Sequence, residues 1–228
     1  MKHASLLLGF LASQFVATCQ VFVAWGDSMT AGFGGTPWPE QFTTATGLPI
    51  SNQGVNGDTS TAIAARFLAQ PALFGERTVI WAGRNNFAQK SIVENDIATM
   101  VSHLTTSDYW VLGLTNRDHE PIGTGLYEDI TTLNLDLATI YGSHFIDIRR
   151  ILVDAYDPHS AADVADFTLD VVPSSLRSDE LHLNTAGYGI VAQAVAAKLV
   201  AVPEPAHTAW LAATGCALAA LGLRKRKT

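Results

Sequence analysis

Residues 21–35 read VFVAWGDSMTAGFGG. Val21 to Trp25 form a continuous apolar run, which ends abruptly at Gly26-Asp27-Ser28. A short apolar run rich in β-branched and aromatic residues, closed by a glycine, is the pattern of a strand buried on both faces. Ser28 then lies just beyond the strand's carboxyl end. Two roles fit a serine there. It can cap a following helix, or it can be a nucleophile. Its partners elsewhere in the chain decide between them.

The middle of the chain alternates strand-like and helix-like segments. Further apolar runs stand at Thr78 to Ala82, Tyr109 to Leu114 and Phe145 to Ile148, with a weaker one at Pro49 to Asn52. Helical patterns fall between and after them, at Pro39 to Thr46, Ser60 to Ala69, Ser91 to Thr105, Tyr127 to Tyr141 and Thr185 to Val200. Asp58-Thr59-Ser60 and Asn184-Thr185 offer side chains that cap helix starts. Asp154 to Asp179 is the least regular stretch and reads as an excursion of short helices and loop, a lid or a rim. Strand–helix alternation with continuously apolar strands predicts an α/β domain, with a parallel sheet covered on both faces. In such sheets ligands bind beyond the carboxyl ends of the strands.

The loops at those ends carry chemistry. Ser28 follows the first strand, where the N–H groups of a helix start can face a developing negative charge. Gly57, in QGVNGDTS, lets backbone approach a substrate closely. Asn85, in AGRNNF, supplies an amide suited to an oxyanion. His182 opens the last helix, and Asp179 stands three residues before it, within reach of the ring Nδ1–H. Alone, Ser28 would be a helix cap and His182 a structural histidine. Together, in this order, they are the parts of nucleophilic acyl transfer. Asp58 supports or caps its helix. His103, His144 and His159 have no partner pattern and read as structural. Phe33 and Trp38 wall an acyl pocket or pack in the core.

These blocks resemble the SGNH hydrolases of the GDSL esterase superfamily. Gly26-Asp27-Ser28 matches the first block, and Asn52-x-Gly54-x-x-Gly57-Asp58-Thr59 the second. Gly83-Arg84-Asn85-Asn86 matches the third, and Asp179-Glu180-Leu181-His182 the last. The resemblance spans Gly26 to His182. It implies a flavodoxin-like three-layer α/β/α sandwich with a mainly parallel five-stranded sheet, acyl-ester hydrolysis, and no cofactor or metal. Carried over residue by residue, it implies Ser28 as nucleophile, His182 as base and Asp179 as its orienting carboxylate. Ser28 N–H, Gly57 N–H and the Asn85 side chain would form the oxyanion hole. The third block departs from the family pattern at Asn86, where Asp is usual. This puts the rigidity of that loop in question. Arg84, Asn86, Asn116 and His119 are the candidates for substrate binding, and Arg117 lies beside the last two. Arg84, Asn116, Arg117 and His119 are each also readable as surface or loop residues.

The two ends depart from the middle. MKHASLLLGFLASQFVATC reads as a secretory signal over 1–19, with a short positive head and an apolar stretch below membrane-spanning length. A buried first element or a lipoprotein box at Val16 to Cys19 are the other readings. At the far end, Val202-Pro203-Glu204-Pro205 breaks the preceding helix. The apolar span His207 to Leu223 follows, then Arg224-Lys225-Arg226-Lys227. This order resembles a PEP-CTERM sorting tail over 202–228. The resemblance implies a transient inner-membrane anchor, processing by an exosortase, and release to the cell surface or matrix. An amphipathic or plain membrane anchor is the other reading. The catalytic domain is then 20–201.

Composition bounds the rest. Of 228 residues, 48% are hydrophobic and 15% charged, enough for one sizeable core. Without Lys2 and the four tail cations, 9 of the 14 basic residues face all 21 acidic ones, a balance of −12. Nucleic acid and anionic lipid are poor partners for such a surface. Cys19 and Cys216 both lie in the ends, so the domain holds no disulfide. The expected function is an exported serine esterase that removes acyl groups, chiefly acetyl, from carbohydrate. A lipolytic esterase or thioesterase is the alternative within the class. A non-catalytic glycan-binding module is the alternative outside it, with Asn86 its one support.

Overall fold

The computed structural model describes residues 21–200. The expected signal segment (1–19) and sorting tail (202–228) lie outside the described residues, as do both cysteines. The strands are β1 (Phe22–Gly26), β2 (Ile50–Gly54), β3 (Arg77–Trp81), β4 (Tyr109–Leu112) and β5 (Phe145–Ile146). They form one sheet in the order β2-β1-β3-β4-β5, and every neighbouring pair is parallel. The helices are α1 (Ser28–Ala31), α2 (Trp38–Thr46), α3 (Ser60–Leu68), α4 (Lys90–His103), α5 (Gly125–Tyr141), α6 (Ile148–Asp154), α7 (Ala161–Thr168) and α8 (Thr185–Val200). No helix among the described residues is long and apolar enough to cross a membrane.

The strand sequences explain the layering. Along β1, Phe22 and Ala24 point to one face, and Val23 and Trp25 to the other. All are buried. The first face packs on α2, α6 and α8 through Trp38, Phe42, Leu152, Val153, Tyr188, Val191 and Val195. The second packs on α3, α4 and α5 through Ile63, Phe67, Val93, Ile97, Met100, Ile130, Leu133 and Leu137. A sheet covered on both sides needs strands apolar on both sides, which is why these strands read as continuous runs. The result is the expected three-layer α/β/α sandwich, and all five expected strands form within two residues of their predicted bounds.

Local chemistry sets the differences. β4 stops at Leu112 because the Asn134 side chain takes both backbone groups of Leu114, at 2.8 Å each. β5 is two residues long because Asp147 turns to cap α6, accepting the Arg150 N–H at 3.0 Å. Thr59 caps α3 and Asn184 caps α8. The excursion after Asp154 is not a lid. Val172 and Leu176 are buried in the α8-side core. Buried Asp163 accepts from Asp157 N–H, Ser175 N–H and Ser175 Oγ and so ties the segment together. Asp170 has φ of 54°, the only positive φ outside glycine among the described residues. Arg149 and the Tyr127 hydroxyl hold its carboxylate, at 2.5 Å each.

The strand order reverses at β1. The connection from β1 runs outward to β2, and the next crosses back over β1 to β3. This leaves a crevice beyond the carboxyl ends of β1 and β3, the usual ligand position in such sheets. Gly26 pairs with Gly54 on one side and Trp81 on the other, so the ends of β1, β2 and β3 lie level. The loops bearing Ser28, Gly57 and Asn85 leave from those ends.

Candidate active site

Ser28 is the first residue of α1. Asp27 caps that helix, its Oδ1 accepting the Met29 N–H at 2.9 Å. The turn is tight at Gly26, where a Cβ would stand 2.1 Å from Thr30 Oγ1 and 2.7 Å from the Trp81 carbonyl. The helix is a single turn, because the N–H groups of Gly32 and Phe33 both close onto the Ser28 carbonyl at 3.0 Å. So Ser28 opens the helix while Asp27 does the capping, which leaves the Ser28 hydroxyl free.

Opposite stands a closed turn, Ser178 to His182. The Ser178 N–H donates to the His182 carbonyl at 2.8 Å. Asp179 Oδ1 accepts the N–H groups of Leu181 (2.8 Å) and His182 (2.6 Å). Its Oδ2 lies 2.8 Å from His182 Nδ1, and His182 Nε2 lies 2.9 Å from Ser28 Oγ. With the ring proton on Nδ1 facing Asp179, Nε2 accepts the Ser28 hydroxyl. Burial pushes the Asp179 carboxyl up, but the His182 and Leu181 N–H groups and the His182 ring outweigh it. The net effect holds the group below the usual carboxylate range.

The oxyanion candidates sit on the neighbouring loops. Gly57 has φ of 82°, a left-handed conformation that glycine adopts without strain. Its N–H has no hydrogen-bond acceptor among the described residues, and neither does that of Ser28. Asn85 Nδ2 donates to the Asp58 carbonyl at 2.9 Å, which fixes the amide beside the Gly57 loop. Asn85→Ala is expected to lower kcat by about two to three orders of magnitude with KM little changed, the signature of a donor used only in the transition state. Steady-state kinetics on one soluble ester checks this. An effect confined to KM would place Asn85 in ground-state binding.

Three residues support the site in ways the sequence left unsettled. Arg66 reaches back from α3 to Asp58 Oδ2 (2.7 Å), the Gln53 carbonyl (2.8 Å) and the Gly26 carbonyl (3.1 Å). One guanidinium thus ties the Gly57 loop to the ends of β1 and β2. Its only sequence signal is its position two turns into a helix whose entry loop holds an Asp. Phe33 is the second such residue. Its ring lies on the His182 ring, centroids 4.5 Å apart, and it is 50% exposed. Trp38, by contrast, is wholly in the core.

Asp27 is the third. Burial pushes its carboxyl up to about 6, against the Met29 N–H and the Arg84 charge, which pull it down. The folded protein therefore holds this proton more tightly than the unfolded chain, whose carboxyl titrates near 3.8. The stability penalty is absent below that value, grows as pH rises through this window and is complete above about 6. From pH 7.5 to 5, Asp27 is expected to return about 1 kcal/mol of folding stability. Urea unfolding at both pH values checks it, with Asp27→Asn as the comparison that lacks this increment.

The substrate-binding candidates fare differently. Arg84 does not face the site. Its side chain is 3% exposed, and Nη2 donates to both Glu120 oxygens at 2.9 and 2.8 Å. A buried guanidinium needs a paired carboxylate, and Glu120 fills that need. Asn116 is also buried and spent. Its amide donates to the Glu120 and Asp170 carbonyls, and its Oδ1 accepts from Arg149. Asn86 exchanges two hydrogen bonds with Ser60, at 2.9 and 3.0 Å, and so braces its loop against the start of α3. The bracing expected of the usual Asp is present here without charge. Of the four candidates, only His119 is exposed, at 76% of its side chain. It stands by Asp118 and Glu180, and these three bring ligand-type atoms within 4.8 Å of one another. Arg177 and Arg117 pair with the two carboxylates, at 3.3 and 3.1 Å, so the group reads as an ion-pair cluster.

A parallel α/β sheet with a Ser–His–Asp relay at its carboxyl edge is the arrangement of a serine hydrolase. The chain belongs to the GDSL-like Lipase/Acylhydrolase family, whose model matches residues 24–190, and it is a carboxylic ester hydrolase. Its fold is similar to that of a member of the lipolytic protein G-D-S-L family from Veillonella parvula DSM 2008. That likeness has TM-score 0.60 and 18% identity, and covers 80% of this chain and 97% of the other. The lipase/acylhydrolase from Enterococcus faecalis is similar too, with TM-score 0.60 and 16% identity over 82% of this chain and 100% of the other. Among curated proteins, the tail spike protein of Salmonella phage epsilon15 is 28% identical over 109 residues. That match covers 46% of this chain, which spans 10% of the relative's length.

Proposed function

We propose that this esterase is exported and removes short acyl groups, chiefly acetyl, from carbohydrate, using Ser28, His182 and Asp179. The observation that carries the catalytic part is the continuous relay from Ser28 Oγ through His182 to Asp179. Ser28 Oγ attacks the ester carbonyl while His182 Nε2 takes its proton. The tetrahedral oxyanion is met by the N–H groups of Ser28 and Gly57 and by the Asn85 amide. His182 then protonates the leaving alcohol, and collapse leaves an acyl-enzyme on Ser28. Water, deprotonated by His182, releases the acid. Asp179 keeps the ring proton on Nδ1 and stabilises the imidazolium.

Export and the carbohydrate substrate are supported by the two ends of the sequence. The leader-like 1–19 and the Pro-Glu-Pro, apolar span and basic cluster of 202–228 suit delivery to a polysaccharide-rich surface, with exosortase-type processing of the tail. The acidic balance of the remainder suits a soluble exported domain. The test of the site uses p-nitrophenyl acetate and an organophosphate. Turnover with covalent labelling at Ser28, found by peptide mass spectrometry, is the expected result. Label elsewhere, with activity lost, moves the nucleophile. For export, mass spectrometry of the protein from its host is expected to find 206–228 removed. Intact Arg224-Lys225-Arg226 on the surface protein counts against the processing.

A further inference from the structure

We propose that Phe33 determines specificity for the leaving alcohol, by offering a flat apolar face on which a pyranose ring lies. The inference rests on the role given above to His182.

The alcohol oxygen must come within hydrogen-bond distance of His182 Nε2 to receive its proton. Whatever that oxygen carries therefore lies against the imidazole and the group that packs on it. That group is Phe33, 4.5 Å from the His182 ring between centroids, and half-exposed rather than buried. An exposed aromatic at a catalytic histidine presents an area that water covers poorly.

The backbone that carries the ring is held by its surroundings. The Phe33 N–H donates to the Ser28 carbonyl at 3.0 Å, and its carbonyl accepts the Tyr188 hydroxyl at 2.9 Å. The next residue, Gly34, has φ of 93° and sits so close to the histidine's own turn that a Cβ would meet Ser178 Oγ at 2.0 Å. The platform and the base are thus packed as one piece, and neither can shift without the other. A pyranose presents a face of C–H bonds, weakly positive at hydrogen. The negative face of a phenyl ring complements it. A small acyclic alcohol such as ethanol covers little of that face.

The experiment measures kcat/KM for full-length wild type, Phe33→Ala, Phe33→Leu and Phe33→Trp. Three esters are used: methyl 6-O-acetyl-glucopyranoside, ethyl acetate and ethyl butyrate. Phe33→Ala is expected to lose about five- to tenfold more on the acetylated pyranoside than on either ethyl ester, with the extra loss mostly in KM. Phe33→Leu keeps apolar volume without the flat face and is expected to fall with Ala. Phe33→Trp is expected to match or exceed wild type. Equal losses on all three esters would show a platform that only positions His182, and would overturn the proposal. A loss that separates butyrate from acetate would place Phe33 on the acyl side, with the same consequence. Turnover surviving Ser28→Ala would instead overturn the site reading, and this inference with it.

Discussion

Ser28→Ala is expected to lower kcat by about four to six orders of magnitude on any ester the protein hydrolyses, with folding intact. The side chain removed is one hydroxyl, which points at His182 Nε2. α1 keeps its cap, because Asp27 and not Ser28 supplies it. The unfolding midpoint should therefore move little. His182→Ala is expected to cost a similar factor, and the double variant no more than either single one, because the two groups act as a unit. Single-turnover kinetics on all three variants checks this. Effects that multiply would mean two groups working independently, which the 2.9 Å contact does not suit.

The second large effect is expected at Asp179. Asp179→Asn preserves the side chain's shape, and its carbonyl can still accept the Leu181 and His182 N–H groups. What changes is the partner of Nδ1. An amide nitrogen facing the ring favours the tautomer with its proton on Nε2, which then has no lone pair for the Ser28 hydroxyl. A fall in kcat of about four orders of magnitude follows from that tautomer error. The wild-type carboxylate is held below its ordinary range, so its contribution to stability is present above the unfolded value. That contribution is lost only as pH falls through the lower folded value. Acid loss of activity near neutrality should therefore not track Asp179. Rates at several pH values for wild type and Asp179→Asn, with nuclear magnetic resonance of the ring protons, give both readouts. An Asn variant with near-normal rate would show that Ser28 and His182 suffice.

The parts of this fold that were readable are those written by periodicity. β1 from Phe22 to Trp25 and β3 from Val79 to Trp81 are buried on both faces, so those positions had to be apolar and the runs declared themselves. α8 announced its start through Asn184, whose Oδ1 takes two helix N–H groups. The relay was readable for a related reason: Asp179 and His182 are joined by a short turn, and Ser28 follows β1 after a single residue. Arg84 and Asn116 show where reading stopped. Their partners, Glu120 and Arg149, lie 36 and 33 residues away. Whether an arginine near a site faces substrate or a buried carboxylate depends on packing between loops, for which a linear chain has no period. Phe33 was divisible between pocket and core for the same reason. Its ring meets His182 across a contact between distant loops.

The turn from Ser178 to His182 has a consequence for how the enzyme fails. His182 and Asp179 share one closed loop of chain, so their mutual geometry is intrinsic and travels with them. Ser28 is attached to a different part of the molecule, 154 residues from His182 in sequence. The two loops are held together by the Ser28–His182 contact, by Phe33 on the His182 ring, by the Tyr188 hydroxyl on the Phe33 carbonyl and by the Thr36 N–H on Thr185 Oγ1. A loosened α8, which carries Thr185 and Tyr188, would part the two loops before it disturbed the Asp179–His182 pair. Inactivation should then precede unfolding and reverse on cooling, with the acid–base pair still assembled throughout.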